Sequence, residues 1–457
     1  MLDQVFKNTD EYMQLTPKTE RKAKGQFFTS QTSADFMASL ICDLPDAVTV
    51  LEPGAGNGAL TAAVVDHILA TEKCKSISAT FIESDPAVLP VLEQTINLLR
   101  TACENTGVSF QASVIQDNFI TVDINRRFDF VVCNPPYKKI RRDSPEAIAT
   151  EQWVYGQPNL YGLFMAKSIS VLSDYGQFAF IVPRSWVSGV YFSKVREYVL
   201  ENTDIKRIHL FKSRDSVFSS ENVLQETMIF SGMKSTAQQE YIGISSSTDD
   251  SYEDVQKFWA LSDLIKAKGK SKNLLIPSSV EEINMLSEME KFSETFESLG
   301  YTFKTGPVVE FRSAQDISSD FNEKTQIPMF RSCNISNGNF VFPVINGKAQ
   351  YISRDAFNML LPDENTVLVR RLTAKEEARR LQSCIYYRHG KQPYISIENH
   401  VNYLSRKDGR PLEKAEVEWV QGLLSSELYD LYFRVTNGST QVNARDLNCL
   451  PVKRVEL

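Results

Sequence analysis

Four short apolar segments, each closed by a polar or acidic residue, do most to limit what this chain can fold into. They are Val48 to Leu51 before Glu52, Ile77 to Ile82 before Glu83, Ser109 to Ile115 before Gln116-Asp117, and Phe128 to Cys133 before Asn134. Stretches with helical periodicity separate them, at steps of roughly 30 residues. That alternation predicts an α/β fold with a doubly wound, mostly parallel sheet, whose polar strand ends form the ligand-binding edge. The first helix is expected over 32–42, with Thr32 or Ser33 as its cap. Further along, helices are expected over 163–172 and 192–201 and strands over 177–182 and 205–211, with a strand over 223–230 closing the sheet.

The chain is 457 residues long, which favours more than one domain. The polar, uneven stretch Ser235 to Asn273 reads as a boundary. The expected division is a catalytic domain over 1–235, a linker and helical connector over 236–300, and a second domain over 301–457. In that last part short strands alternate with polar turns, and a charged helix is expected over 373–382. Seven scattered cysteines with no CxxC pair read as reduced thiols in a cytoplasmic compartment. Four histidines without metal-ligand spacing give no reason to expect a protein metal site. No apolar run of membrane-spanning length and no signal-peptide pattern is present.

The formal charge of −7 is unevenly spread: residues 301–457 sum to +3 and residues 1–300 to −10. Basic knots nevertheless occur at Lys18, Arg21, Lys22 and Lys24, and at Lys138, Lys139, Arg141 and Arg142. Most charge clusters are solvated faces. One directly beside a candidate active site is also placed to hold phosphates.

Gly54, Gly56 and Gly58 follow the first strand and let the backbone pass close to a ligand at a helix start. That spacing is shared with dinucleotide sites. Glu52 discriminates, because a carboxylate there repels a pyrophosphate but suits an ammonium group. Glu83 is placed to accept from ribose hydroxyls, and Asp117 from an adenine amino group, with Asn118 beside it. An adenosyl ligand ending in an amino acid fits, and S-adenosylmethionine is such a ligand.

The fourth strand ends in Asn134-Pro135-Pro136-Tyr137. Two prolines remove two backbone donors, so the turn offers the Asn134 side-chain oxygen and the Pro135 carbonyl as acceptors for one NH2 group. Tyr137 adds a flat face for stacking. A Pro-rich turn without chemistry is the plain alternative, and Cys133 reads as packing on a buried strand.

The order Gly25-Gln26-Phe27-Phe28-Thr29, Leu51-Glu52-Pro53-Gly54-Ala55-Gly56-Asn57-Gly58, Ile82 to Pro86, Gln116 to Phe119 and Asn134 to Tyr137 resembles the amino-methylating DNA methyltransferases. Within them it is similar to the γ-class adenine-N6 enzymes of type II restriction–modification systems. The resemblance covers the first 230 residues. It implies a Rossmann-like S-adenosylmethionine-dependent methyltransferase fold with a seven-stranded sheet, followed by a mixed α+β target-recognition domain. It further implies that Phe27 and Thr29 contact the cofactor and that an adenine flipped out of double-stranded DNA is the substrate. Phe218 matches the family's second base-stacking aromatic, and a cognate restriction endonuclease becomes a candidate partner.

For the second domain, the run Thr436 to Asn443 resembles recognition modules, since Asn, Gln, Ser and Arg read base edges. Arg370, Arg371, Arg379, Arg380, Arg388, Arg406 and Lys407 are candidates for a phosphate track. Cytosine-N4, ribosomal-RNA and protein-glutamine amino-methylation remain alternatives because the same turn grips any planar amino group. A DNA-binding module with a degenerate pocket is the non-enzymatic one. The Asn at 134, where Ser would favour cytosine, leans to adenine.

Overall fold

The computed structural model describes residues 1–17, 19, 21, 27–211, 226–265, 273–345, 347–374, 377–437 and 440–453. Phe218, Lys18, Lys22, Lys24, Gly438 and Ser439 lie outside the described residues. Two compact units divide the chain, Met1–Val280 and Glu281–Leu457.

The first unit is built on a sheet of nine strands: β1 (Ala47–Pro53), β2 (Ser76–Ile82), β3 (Ser109–Ile115), β4 (Phe128–Cys133), β5 (Leu172–Pro183), β6 (Thr203–Phe211), β7 (Thr227–Lys234), β8 (Tyr241–Ser247) and β9 (Gln256–Leu261). Their spatial order is β3-β2-β1-β4-β5-β7-β6-β8-β9. The pairs β1–β2, β2–β3, β1–β4 and β4–β5 are parallel, as the strand–helix alternation predicts. β7 runs antiparallel between β5 and β6.

The sheet therefore does not stop at seven strands. The expected strand over 223–230 corresponds to β7, an interior strand, and residues 223–225 lie outside the described residues. β8 and β9 come from the polar stretch expected to be a linker. The β8 serines are polar yet face inward. Ser245 and Ser247 hydroxyls sit 2.8 and 3.0 Å from the two ring nitrogens of buried His209. A buried polar group satisfied in this way is compatible with a core strand.

The helix Gln31–Ala38 is capped by Ser30, whose hydroxyl accepts from the Ser33 amide, so the cap falls two or three residues earlier than expected. Leu2–Leu15 is a further helix, and it packs on the helices Ala59–Ala70 and Leu89–Asn105. Arg21 belongs to this arrangement, because its guanidinium donates to the Met13 and Thr16 carbonyls at the end of that helix.

The second unit is mixed α+β. A four-stranded sheet and a small five-stranded sheet share it with the helices Lys414–Leu424 and Glu427–Thr436. The charged helix expected over 373–382 is not formed among the described residues. Tertiary bonds claim that backbone instead: the Arg380 and Leu381 amides both donate to the Asp430 carboxylate, at 2.7 and 2.8 Å. The Arg379 guanidinium donates to the Leu424 and Ser426 carbonyls.

One side chain stitches β1 to β4. The Asp129 carboxylate accepts from the Thr49 amide at 2.9 Å and the Thr49 hydroxyl at 2.7 Å, and the Asp129 amide donates back to that hydroxyl. Hydrogen bonds to a charged acceptor contribute more than neutral ones. Asp129→Ala is expected to destabilise the first unit by about 1–3 kcal/mol. A urea midpoint indistinguishable from wild type would show the carboxylate to be idle.

Candidate active site

At the carboxyl ends of β1, β2 and β4 lies a cavity of about 390 Å³. Its first wall is the loop Gly54–Gly58. All three of its glycines have left-handed backbone, with φ of +66°, +54° and +75°, a conformation that glycine alone adopts freely. Space is short as well: a Cβ on Gly58 would lie 2.8 Å from Leu92 Cδ1, and one on Gly56 3.3 Å from the Phe28 ring. The loop opens directly into the helix Ala59–Ala70. Asn57 ties it to the N-terminal helix through the Thr9 hydroxyl.

The acidic residues Glu52, Glu83 and Asp85 line the cavity, and backbone amides hold the two glutamates. Glu52 is buried and accepts from the Thr61 amide at 2.9 Å. Burial pushes its carboxyl up to about 7; hydrogen bonds from Thr61 and Leu60 oppose that rise, and nearby Glu83 adds to it. Glu83 has both oxygens engaged by backbone, one by the Gly56 amide and one by the Asp85 amide, each at 2.8 Å. Those two bonds fix the carboxylate and leave each oxygen a second lone pair for a ligand.

Asn134 is held in one orientation. Its amide nitrogen donates to the Phe27 carbonyl at 2.8 Å and to the Thr29 hydroxyl at 3.0 Å. Its oxygen accepts from the Tyr137 hydroxyl at 3.0 Å, and that hydroxyl also lies 3.1 Å from the Ile181 carbonyl. The Tyr137 ring stacks on Phe27, with centroids 5.4 Å apart and planes at 27°, and meets Tyr161 edge-on. One face of Tyr137 is thus covered by Phe27. Cys133 donates to the Pro53 carbonyl, and burial pushes its thiol well up, so it carries no thiolate.

Of the residues singled out from the sequence, Phe27, Thr29, Glu52, Gly54, Gly56, Glu83 and Asn134 line this one cavity. Pro135 is buried in the turn, and Tyr137 adjoins the cavity through Asn134. Asp117 and Asn118 are not among the lining residues. Asp117 is exposed and accepts from the Asn118 amide, while the Asn118 side chain donates to Glu146 and accepts from the Ile120 amide. The cavity also uses Phe28, Asn57, Asp85, Pro86 and Phe164, none of them nominated. Four of these stood inside quoted motifs. Phe164 comes from the helix Leu160–Ser170, packs against Phe119 at 5.0 Å and lies against Gly54. No local pattern could have pointed to it.

In the second unit several candidate DNA contacts are committed to structure. Arg370 donates to the Ser332 and Ile335 carbonyls, Arg371 to Asn399, and Arg380 is buried against Thr373 and Phe433. Arg406 pairs with Glu416 and Asp408, and Lys407 with Glu297. Asn437 and Asn443 both donate to Asp446. Arg388 is exposed.

Residues 79–218 match the model of the Eco57I restriction-modification methylase family. The chain is 30% identical to the type II methyltransferase M.PstI of Providencia stuartii, across 95% of this chain and 87% of that protein. It is equally 30% identical to M.BsuBI of Bacillus subtilis, across 98% of this chain and 92% of that one. Among solved structures, the type I restriction enzyme EcoKI M protein aligns over 49% of this chain and 48% of its own, with 14% identity and a TM-score of 0.38. The parallel order β3-β2-β1-β4-β5 of the first unit is that of a Rossmann-like fold. The chain belongs to the type II methyltransferases of restriction–modification systems, which methylate DNA with S-adenosylmethionine.

Proposed function

We propose that the chain methylates the N6 amino group of an adenine flipped out of double-stranded DNA, as the modification enzyme beside a cognate endonuclease. The observation that carries this reading is the locked Asn134 amide. With its nitrogen bound to Phe27 and Thr29, only its oxygen is left to meet an incoming amino group. Proline at 135 leaves that carbonyl as a second acceptor with no competing donor beside it.

The cavity suits the cofactor on its own terms. A buried carboxylate titrating near neutrality calls for a cation, and the glycine loop leaves room that any Cβ would fill. Glu52 would hold the ammonium group, Glu83 the ribose hydroxyls, and Phe27 and Thr29 would cover the ligand. When bound, S-adenosylmethionine supplies an electrophilic methyl group. The enzyme's part is orientation: two accepted hydrogen bonds aim the nitrogen lone pair out of the plane of the ring. The Tyr137 hydroxyl has one proton and two acceptors, so it can turn wholly to Ile181 when the amino group takes Asn134. Leaving the stack costs a base a few kcal/mol, and stacking on an aromatic such as Tyr137 returns about 1–3 kcal/mol.

Incubation with labelled cofactor and duplex DNA, followed by digestion to nucleosides, should yield N6-methyladenine. N4-methylcytosine as the product would overturn the choice of base. Asn134→Ala should abolish transfer while cofactor affinity stays within a few-fold of wild type; near-normal turnover would remove Asn134 from the site.

Glu52 makes the cofactor step pH-dependent. Its carboxyl is raised to about 7 before binding, and a cation beside it stabilises the charged form. Binding near neutral pH should therefore release a fraction of a proton, and affinity should weaken as pH falls below about 7. Calorimetry in buffers of different ionisation enthalpy measures this release, and Glu52→Gln should eliminate it.

A further inference from the structure

The chain that follows Tyr137 is zipped back onto itself at the site. The Lys138 amide donates to Pro136, Leu160 to the Lys138 carbonyl at 2.9 Å, and Ile140 to the Pro158 carbonyl at 3.1 Å, with a bridge between Lys139 and Asn159. The excursion over 141–157 is thus rooted directly in the Asn134 turn. Within it Gly156 is left-handed at φ +66°, and a Cβ there would lie 2.5 Å from the Tyr191 ring. That glycine is the seat of Tyr191. Next to it, Phe192 packs inward on Tyr161 at 4.8 Å, which fixes the Val190–Phe192 turn.

This well-anchored collar leaves apolar groups in solvent. Tyr155, Val190 and Tyr191 are 49%, 49% and 54% exposed. At the root of the same excursion Lys138, Lys139 and Arg142 are exposed, and their side chains make no ion pair among the described residues, whereas Arg141 is held by Asp143. A half-exposed ring seated on a glycine, on a segment whose root carries exposed cations, suits a polyanion with flat faces. Position narrows this further. Lys138 and Lys139 follow Asn134 by only four and five residues, which keeps them within about 18 Å of a base held there.

We propose that this collar grips duplex DNA around the extruded nucleotide, with Lys138, Lys139 and Arg142 on phosphates and Tyr191 and Tyr155 against sugar and base faces. The proposal rests on the chain acting on DNA, and it holds whichever base is modified. It also adds an aromatic contact that the sequence motifs do not announce, because neither tyrosine lies in one of them.

The test is binding of a duplex that the wild-type protein methylates, followed by anisotropy across a salt series. For K138Q/K139Q the slope of log Kd against log salt should shrink by about 2, at roughly 0.9 per phosphate contact. For Tyr191→Ala affinity should fall by on the order of 10-fold or more at every salt concentration, with the slope kept. Cofactor affinity, measured alongside, shows that each variant is folded. Should Tyr191→Ala lose the cofactor, the lysine pair, which lies on the surface, carries the test. A wild-type slope in K138Q/K139Q overturns the proposal. Methyl groups found on cytosine would overturn the choice of base and leave these outcomes unchanged.

Discussion

In-register parallel pairing of β1 with β2 and β4 is the constraint on which the site depends. Glu52 stands opposite Phe81 and Pro53 opposite Ile82, while Val50 stands opposite Phe130. The pairing runs into the loop, where the Gly54 and Ala55 amides both donate to the Ile82 carbonyl. Strands that end at one height release Glu52, Glu83 and Asn134 along one edge. A slip of one residue would turn each side chain to the opposite face of the sheet. The Asp129–Thr49 bonds resist such a slip between β1 and β4, the strands that carry Glu52 and Asn134.

On that frame, polar atoms are oriented mainly by backbone. Glu83 is fixed by two amides, Glu52 by backbone at Leu60 and Thr61, and Asn134 by a carbonyl together with two hydroxyl groups. Preorganisation of this kind means little has to be ordered when a ligand arrives. It also explains why the N-terminal segment belongs to the site. Phe27 supplies the carbonyl that orients Asn134, Phe28 closes on Gly56, and the helix Leu2–Leu15 backs the glycine loop through Thr9 and Asn57.

Legibility from the sequence followed how local each signal was. Glu52, Glu83 and Asn134 could be found because a strand end followed by a turn is a short pattern, and all three line the cavity. Asp117 and Asn118 satisfied the same pattern at the third strand, yet their side chains face Glu146 and nearby amides. The end of β3 lies at the outer edge of the sheet, where position along the strand no longer decides what a side chain meets. Most of the candidate arginines of the second unit already serve carbonyls or carboxylates of the protein. A guanidinium has five donors and serves buried carbonyls as readily as phosphates, and charge alone does not tell the two apart.

The amino-acid sequence by itself determined the alternation of strands and helices, the left-handed glycine loop and the proline-stiffened turn, since each follows from backbone sterics within a few residues. Tertiary structure alone decided that Phe164 lines the cavity, that Tyr137 spends one face on Phe27, and that Ser245 and Ser247 belong to a core strand. Those outcomes depend on partners far away in the chain: 105 residues or more separate Asn134 from Thr29 and from Phe27. Which distant groups meet is set by the packing of whole elements, and no short window of sequence contains that information.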